Sequence, residues 1–258
     1  MLSTPPNHTL TLPGRTQKPR AAGLTMVIDG GLPCGAFEDL IESHGHLIDL
    51  LKLGWGTALV TRHLDRKIAV LRDAGVDWYF GGTLFEIFVQ QGKFDDYRKF
   101  CAGHGATWVE VSNGTIELDN SRKAEYVARL DRDFAVVSEV GYKDQDRSEH
   151  LPPVRWIRYI KEDLEAGARH VITEARESGH SGIARPNGEL RFGLIEEILE
   201  SGIEIDKLLF EAPNKELQTY FVKRVGSNVN LGNIAPADVV GLETLRLGLR
   251  SDTVGAVG

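Results

Sequence analysis

The stretch Val171-Ile172-Thr173-Glu174-Ala175-Arg176-Glu177-Ser178-Gly179 decides the fold class of this chain. Its first three residues are apolar or β-branched, which is typical of a short buried strand. The strand ends at Glu174, and an arginine, a serine and a glycine follow at once. In a barrel of alternating strands and helices, active-site loops have this form, because each rigid strand delivers charged residues to a common mouth. An ordinary strand followed by a polar turn has the same form, so the interpretation depends on whether the pattern recurs.

The same alternation recurs along the chain. Eight apolar segments with strand character each precede a turn and a segment with helical character, at about 30 residues per unit. The predicted strands cover residues 24–29, 47–53, 76–80, 106–112, 134–141, 171–173, 207–211 and 228–233. A single helix is predicted between the third and fourth strands, up to about Gly103. The pattern therefore predicts one α/β domain over residues 23–258, a (β/α)8 TIM barrel.

Residues 1–22 do not continue this alternation and predict an irregular N-terminal arm. Arg15, Lys18 and Arg20 make the end of the arm basic. A solvated tail, a contact between subunits and a lid over an anionic site all fit such an arm, and the sequence leaves these alternatives open.

The composition excludes several classes of protein. A net charge of −7 and a pI near 5.7 argue against a nucleic-acid-binding protein, which usually carries a basic face. Cys34 and Cys101 are too few for a disulfide framework and lack metal-site spacing, which favours a reducing compartment. Residues 1–23 lack the apolar region of a secretory signal, and no apolar run approaches the ~20 residues that span a bilayer. We therefore expect a cytoplasmic protein that binds neither nucleic acid nor membrane.

Polar side chains lie at the carboxyl ends of most predicted strands. The set is Asp29, Lys52, Thr83, Glu86, Glu110, Glu139, Glu174, Arg176, Glu211, Asn230 and Asn233. In a barrel these groups converge on one mouth, where ionised groups are costly unless they pair or bind a metal. The clustered carboxylates therefore predict a divalent cation, and Mg²⁺ suits oxygen ligands. The cationic groups of Lys52, Lys143 and Arg176 indicate an anionic substrate.

Several of these residues also have a structural alternative. Lys52 can pair inside the barrel with Glu110 or Glu139, which would then be ion-pair partners instead of metal ligands. Lys143 lies in a loop of charged residues, where a solvated lysine is the default. Trp55, between two glycines, fits a packed core tryptophan as well as a residue that shapes a pocket. The sequence does not decide between these alternatives.

Eight segments carry most of these polar residues. They are Lys-Leu-Gly-Trp-Gly-Thr (52–57), Gly-Gly-Thr-Leu-Phe-Glu (81–86), Glu-Val-Ser-Asn-Gly (110–114), Ser-Glu-Val-Gly (138–141), Glu-Ala-Arg-Glu-Ser-Gly (174–179), Phe-Glu-Ala-Pro-Asn-Lys (210–215), Val-Asn-Leu-Gly-Asn-Ile (229–234) and Leu-Glu-Thr-Leu-Arg-Leu-Gly-Leu-Arg-Ser-Asp (242–252). Together they resemble the phosphosulfolactate synthase family, and the bacterial branch more than the archaeal one. The resemblance implies a (β/α)8 barrel, a homo-oligomer such as a trimer, and a Mg²⁺-dependent addition of sulfite to phosphoenolpyruvate that gives (2R)-phospho-3-sulfolactate.

The resemblance also implies roles for individual residues. Lys143 and Lys52 are the expected catalytic residues: Lys143 would protonate C2 of the substrate, which requires a lowered pKa, and Lys52, together with Arg176, would bind the anionic substrates. The other expected site residues are Glu110, Glu139 and Glu174 for Mg²⁺, and Arg176, Ser178, Gly179, Asn230 and Asn233 for the anionic substrates. Archaeal members have a lysine where this chain has Gly30, so one substrate-facing cation is missing here.

Two other functions are compatible with the same residues. A Schiff-base aldolase would use Lys52 as its nucleophile, although barrel aldolases of that type commonly carry their lysine on the sixth strand, where this chain has Glu174. A non-enzymatic, stress-related role is the third alternative, because plant relatives of the family are linked to heat-stress tolerance. The ring of charged strand ends argues against a purely structural role, since folding does not require it.

Overall fold

A computed structural model describes residues 9–175, 182–183 and 190–257. Its centre is a sheet of eight parallel strands, which confirms the predicted barrel fold. The strands are β1 (Thr25–Asp29), β2 (Leu50–Leu53), β3 (Asp77–Phe80), β4 (Trp108–Val111), β5 (Ala135–Val140), β6 (His170–Thr173), β7 (Leu208–Glu211) and β8 (Leu231–Ile234). Strands adjacent in sequence pair along the sheet, β1 pairs with β8, and β3 contacts β4 where the hydrogen-bonded order ends. The strands thus form a nearly closed barrel.

Helices surround the barrel. They are α1 (Cys34–His44), α2 (Leu64–Asp73), α3 (Gly82–Gln90), α4 (Phe94–Gly103), α5 (Asn120–Leu130), α6 (Gln145–Glu149), α7 (Pro153–Glu165), α8 (Phe192–Leu199), α9 (Lys215–Val225) and α10 (Val239–Arg246). The single helix predicted after the third strand is two helices, because the chain turns at Gly92, whose φ of 69° lies in the left-handed region that favours glycine. No described helix has the length and apolar composition of a membrane span.

An apolar layer fills the bore of the barrel. It consists of Met26, Leu50, Tyr79, Val137, Ile172 and Leu209, and we call it the floor. Side chains on a strand alternate between the two faces, so a residue two positions further along points the same way, one layer nearer the carboxyl end. Four floor residues are followed at this spacing by charged residues, which are Lys52, Glu139, Glu174 and Glu211. Strand periodicity therefore places these four charges together directly above the floor.

The described part of the N-terminal arm, residues 9–22, packs against the opposite end of the barrel. Arg15 donates hydrogen bonds to the side chains of Glu243 and Asn228. Nε of Arg20 lies 3.0 Å from Oδ1 of Asp49, which directly precedes β2. Of the roles considered for the arm, a lid over the mouth is wrong, because these contacts hold its basic residues at the amino ends of the strands.

A buried ion pair joins α5 and α7 to the strand that carries Glu139. Nζ of Lys123 lies 2.7 Å from Oδ2 of Asp163 and donates a 2.7 Å hydrogen bond to the carbonyl oxygen of Glu139. The side chains of Lys123 and Asp163 are 0% exposed, so each charge depends on its partner to offset its lost hydration. The pair therefore supports the site as well as the fold.

Lys123→Met should lower the free energy of unfolding by about 3–5 kcal/mol, because it leaves the Asp163 carboxyl group buried without its cationic partner. Arg122→Met is the matched control in the same helix: the side chains of Arg122 and Glu125 are 56% and 58% exposed, and because solvent screens such a surface pair, the free energy of unfolding should change far less. Urea denaturation followed by circular dichroism measures both values. Equal losses in the two variants would contradict a stabilising role for the buried pair.

Candidate active site

A cavity of about 440 Å³ opens at the carboxyl ends of the strands, directly above the floor. Six charged residues line it: Lys52, Glu110, Glu139, Lys143, Glu174 and Glu211. Each of these residues lies at or just after the end of a strand, where the sequence pattern placed it. The barrel therefore brings two lysines and four glutamates into one small volume.

Lys52 is the central cation of this group. Its Nζ lies 3.1 Å from Oε2 of Glu110, 3.4 Å from Oε1 of Glu211 and 3.8 Å from Oε2 of Glu139. Burial lowers the pKa of the Lys52 ammonium group, but the surrounding carboxylates raise it by more, so the net pKa lies above its ordinary value. Lys52 is therefore a charged member of an ion-pair network, which is the structural alternative considered for it from the sequence.

Lys143 follows β5 and reaches the same group from the open side. Its Nζ lies 3.0 Å from Oε1 of Glu139 and 3.6 Å from Oε2 of Glu174. The Lys143 side chain is 29% exposed, against 7% for Lys52, so it is the lysine that a bound molecule can contact more easily. Its backbone N–H donates a 3.1 Å hydrogen bond to the carbonyl oxygen of Gly114, which fixes the loop.

The pKa of Lys143 differs from the expectation. Burial lowers the pKa of the Lys143 ammonium group, but the carboxylates of Glu139 and Glu174 raise it by more, so the net pKa lies above its ordinary value. The lowered pKa expected from the sequence is wrong for this arrangement, because two carboxylates outweigh the effect of burial. Lys143 is thus held in its charged, proton-carrying form.

The four glutamates differ in acidity because they share two cations. Burial raises the pKa of Glu139, but the ammonium groups of Lys143 and Lys52 lower it by more, to about 2. Burial raises the pKa of Glu211 to about 7 against the opposing effect of Lys52. Burial, followed by the charge of Glu139, raises the pKa of Glu174 well above its ordinary value. The glutamates therefore supply more negative charge than the two lysines neutralise.

Three of the carboxylates are close enough to share one cation. One oxygen atom from each of Glu139, Glu174 and Glu211 lies within 4.8 Å of the other two. Glu110, which the sequence analysis assigned to the metal, is not in this group and pairs with Lys52. Within the described part of the chain, Oε2 of Glu139, Oε2 of Glu174 and both carboxylate oxygens of Glu110 are buried and accept no hydrogen bond of good geometry. A set of oxygen donors with unsatisfied atoms suits a hard divalent cation.

Of the two asparagines expected at the mouth, Asn233 lies there and Asn230 does not. Asn233 lines the cavity, has a φ of 52°, and donates a hydrogen bond to Oε1 of Glu211. The side chain of Asn230 makes hydrogen bonds with the backbone at the amino ends of β1 and β7. The expected substrate-binding role of Asn230 is therefore wrong, because β8 begins at Leu231 and not at residue 228.

Arg176, Ser178 and Gly179 lie outside the described residues, so their expected role in binding the substrate stays a prediction. The chain that leads to them is described: Glu174 and Ala175 are buried, and the N–H of Ala175 donates a 2.9 Å hydrogen bond to Oε2 of Glu211. The end of β6 is thus tied to β7 at the point where the predicted anion-binding loop begins.

Two further carboxylates organise loops around the mouth. Asp29 ends β1 as predicted, whereas Glu86 lies within α3 and not at a strand end, because that helix begins at Gly82. Glu86 accepts hydrogen bonds from the side chain of Ser112 and from two backbone N–H groups in the loop after β4. Asp29 accepts two backbone hydrogen bonds from the loop after β1, and its Oδ2 lies 2.5 Å from Nζ of Lys67. Both residues therefore give shape to the cavity without belonging to its central group of charges.

Two residues at the site were not predicted from the sequence as part of it. Glu211 was noted at a strand end but not assigned to the metal, although it follows an apolar strand in the same manner as the glutamates that were. Tyr79 belongs to the floor, and burial followed by the charge of Glu110 raises the pKa of its hydroxyl well above its ordinary value, so a neutral phenol lies below the charges. Its strand, Asp77-Trp78-Tyr79-Phe80, carries no signal that separates Tyr79 from an ordinary buried residue.

Known proteins resemble this chain over nearly its whole length. The family model for (2R)-phospho-3-sulfolactate synthase matches residues 13–252. The phosphosulfolactate synthase of Bacillus subtilis (strain 168) is 47% identical over 247 residues, which cover 96% of this chain and 98% of that relative. This chain belongs to the phosphosulfolactate synthase family. Membership makes the protein an enzyme, a lyase that forms a carbon–sulfur bond.

Two further comparisons have lower sequence identity, one with an archaeal member of the family and one with a solved barrel structure. The phosphosulfolactate synthase of Methanothermobacter thermautotrophicus (strain ATCC 29096 / DSM 1053 / JCM 10044 / NBRC 100330 / Delta H) is 39% identical over 249 residues, which cover 95% of this chain and 96% of that relative. The chain is thus more similar to the bacterial relative than to this archaeal one, as predicted. The crystal structure of 3-keto-L-gulonate-6-phosphate decarboxylase from Vibrio cholerae O1 biovar El Tor str. N16961 has a TM-score of 0.56 at 10% identity, and the match covers 91% of this chain and 99% of that one. This second likeness concerns the barrel fold alone.

Proposed function

We propose that the protein catalyses the Mg²⁺-dependent addition of sulfite to phosphoenolpyruvate, giving (2R)-phospho-3-sulfolactate. The observation that carries this proposal is the group of Glu139, Glu174 and Glu211 beside the charged Lys143, in a chain of the phosphosulfolactate synthase family. In this reaction the sulfur lone pair forms a bond to C3, the C2–C3 double bond is consumed, and C2 takes up one proton. The phosphate ester stays intact.

The charge of the site supports a divalent cofactor. With all six groups ionised, four carboxylates and two ammonium groups leave a net charge of −2. Glu139, Glu174 and Glu211 would hold Mg²⁺, which when bound supplies positive charge to the carboxylate of the substrate as negative charge builds there. Without such a cation the excess charge is met by protons, in agreement with the raised pKa values of Glu174 and Glu211.

Lys143 is the proposed proton donor. Its ammonium group carries a proton, contacts Glu139 and Glu174, and is the more exposed of the two lysines. A group that donates a proton to C2 has to reach the bound molecule and carry a proton beforehand, and Lys143 meets both conditions. It must also be acidic enough to release the proton. Mg²⁺ held by Glu139 and Glu174 would offset the two carboxylates that raise the pKa of Lys143, and so would make its ammonium group a stronger acid. The contacts with the carboxylates orient it toward the same small volume.

Lys52 has a different proposed role. It is nearly buried and has three carboxylates within 4.0 Å, so it stabilises the group of glutamates and adds positive potential at the bottom of the cavity. A Schiff-base nucleophile requires a neutral amine, and the carboxylates favour the charged form. The aldolase alternative is therefore disfavoured, and membership in an enzyme family disfavours the non-enzymatic one.

The remaining expectations are proposals that rest on the family alone. Arg176, Ser178, Gly179 and Asn233 would bind the carboxylate, phosphate or sulfite groups. The homo-oligomeric state, with a trimer as the expected form, is measured by light scattering after size-exclusion chromatography. The cytoplasmic location is likewise a proposal.

Phosphorus NMR tests the reaction directly. A mixture of the protein, phosphoenolpyruvate, sulfite and Mg²⁺ should give a new phosphate-ester signal, and no such signal should appear when sulfite is omitted. Removal of the metal with excess EDTA should abolish product formation, and added Mg²⁺ should restore it. Loss of phosphoenolpyruvate with release of inorganic phosphate, or no change at all, would reject the proposed function.

Glu211→Gln should weaken Mg²⁺ binding at least tenfold, because it removes one charged ligand oxygen from the group of three carboxylates. Glu110→Gln is the matched control, since Glu110 lies in the same cavity but pairs with Lys52. Isothermal titration of each variant with MgCl₂ measures the effect. If Glu110→Gln weakens binding more than Glu211→Gln does, the ligand assignment from the sequence was the better one.

Lys143→Ala should reduce kcat by about 100- to 10,000-fold, the range contributed by a general acid. Lys143→Arg should be nearly as slow, because a guanidinium group keeps the positive charge but is too weak an acid to donate its proton. Both variants should still bind phosphoenolpyruvate in equilibrium titrations. Near-normal turnover of either variant would exclude Lys143 as the proton donor.

A further inference from the structure

Trp55 occupies an unusual position for a tryptophan. It follows β2 in the Gly-Trp-Gly turn, its side chain lines the cavity, and the residue is 50% exposed. The core alternative considered from the sequence is therefore wrong. A large aromatic residue with half of its surface exposed at the mouth of a site points to a contact with a bound molecule.

The backbone of Trp55 is held in a conformation that L side chains rarely adopt. Its φ and ψ are 50° and 27°, in the left-handed region, and Gly56 next to it has a φ of 70°. Non-glycine residues in this region cluster at functional sites, where the surrounding structure enforces the conformation. The turn thus directs the indole ring to a defined place.

Gly30, at the end of β1, provides the space for the ring. A methyl group on Gly30 would lie 2.3 Å from Cζ3 and 2.9 Å from Cη2 of Trp55, far closer than atoms pack. The ring therefore lies across the loop after β1, over the position where a longer side chain would otherwise extend. Gly30 and Trp55 together therefore form one side of the cavity mouth, which we call the wall.

This wall faces the reactive groups from across the mouth. The strands follow one another around the barrel, so β1 and β2 lie opposite β5 and β6, which carry Glu139, Lys143 and Glu174. The cavity between the two sides has a volume of about 440 Å³. An indole ring offers shape and an apolar face but no charge, so its contribution is to limit the size of what fits beside the charged groups.

We propose that Trp55, placed by Gly30, is a specificity-determining residue that restricts the nucleophile to a compact oxyanion. This inference rests on the proposed function, in which the nucleophile is sulfite. A sulfinate with a phenyl group in place of one sulfite oxygen has the same nucleophilic sulfur, and its addition to C3 with protonation at C2 yields a sulfone without any oxidant or reductant. The ring of Trp55 would exclude this larger nucleophile.

The test compares benzenesulfinate with sulfite as the nucleophile toward phosphoenolpyruvate. The measured quantity is the ratio of kcat/KM for benzenesulfinate to kcat/KM for sulfite. Trp55→Ala should raise this ratio at least tenfold over the wild-type value. If the wild-type protein gives no measurable product from benzenesulfinate, the detection limit of the assay takes the place of its value. Trp55→Phe should raise the ratio much less. Gly30→Ala should also raise it, because the new methyl group displaces the ring.

A double-mutant cycle separates specificity from a general loss of structure. In the Trp55→Ala background, Gly30→Ala should cause no further change in the ratio, since the ring it displaces is gone. Gly35→Ala, at an exposed glycine of α1 with no neighbouring atom within 4 Å of the new methyl group, should leave the ratio unchanged. Thermal unfolding midpoints identify any variant that does not fold, and Trp55→Leu replaces Trp55→Ala in that event.

The outcomes distinguish the two proposals. If the wild-type protein forms no product from sulfite, the proposed function fails. If the wild-type protein forms product but the Trp55 variants change the ratio by less than twofold, the specificity proposal fails and the proposed function stands. Additive effects of Gly30→Ala and Trp55→Ala on the ratio would also overturn the specificity proposal, because Gly30 would then act independently of the ring.

Discussion

The attraction between the Lys52 ammonium group and three buried carboxylates holds the mouth of this barrel together. Four glutamate side chains this close would repel one another, and each would lose hydration without compensation. Lys52 lies among Glu110, Glu139 and Glu211, and Lys143 extends the network to Glu174 on the open side. The two lysines thus offset part of the charge of the four glutamates and leave an excess of negative charge at a defined place.

The charged groups at the two ends of the barrel differ in how fully the fold satisfies them. At the amino end, Arg246 is buried, donates hydrogen bonds to the carbonyl oxygens of Val229 and Leu24, and has a pKa lowered by burial to about 9. The basic residues of the N-terminal arm make similar contacts there. These cations satisfy backbone carbonyl groups and carboxylates of the fold itself. The carboxyl end instead retains carboxylate oxygens that the described part of the chain leaves without good hydrogen bonds.

Much of this arrangement can be predicted from the sequence, because the strand period is short and strict. Apolar runs that end in a glutamate identified the strands and put Glu110, Glu139 and Glu174 at the mouth. The position of a strand could not be predicted where the same alternation of residues continues beyond the strand. The stretch Asn228-Val229-Asn230 has the same alternation as the strand that follows it, so the start of β8 and the place of Asn230 could not be known.

The contacts between charged side chains across the barrel also could not be predicted from the sequence. Which carboxylate faces a lysine and which faces two other carboxylates depends on distances between strands far apart in sequence. For this reason the sequence did not show that Glu211 lies with Glu139 and Glu174 while Glu110 pairs with Lys52, or that nearby carboxylates raise the pKa of Lys143. The fold class follows from local patterns, whereas the electrostatics of the site follows from the closed barrel.

The floor has a consequence for the passage of molecules. Its side chains fill the bore so completely that even a methyl group on Gly232 would lie 2.2 Å from Cδ2 of Leu209 and 2.7 Å from Cε of Met26. The cavity is thus closed at its lower end by the floor. Within the described part of the chain, the floor leaves no route through the barrel, so a departing product and an arriving reactant both pass through the side at the carboxyl ends of the strands.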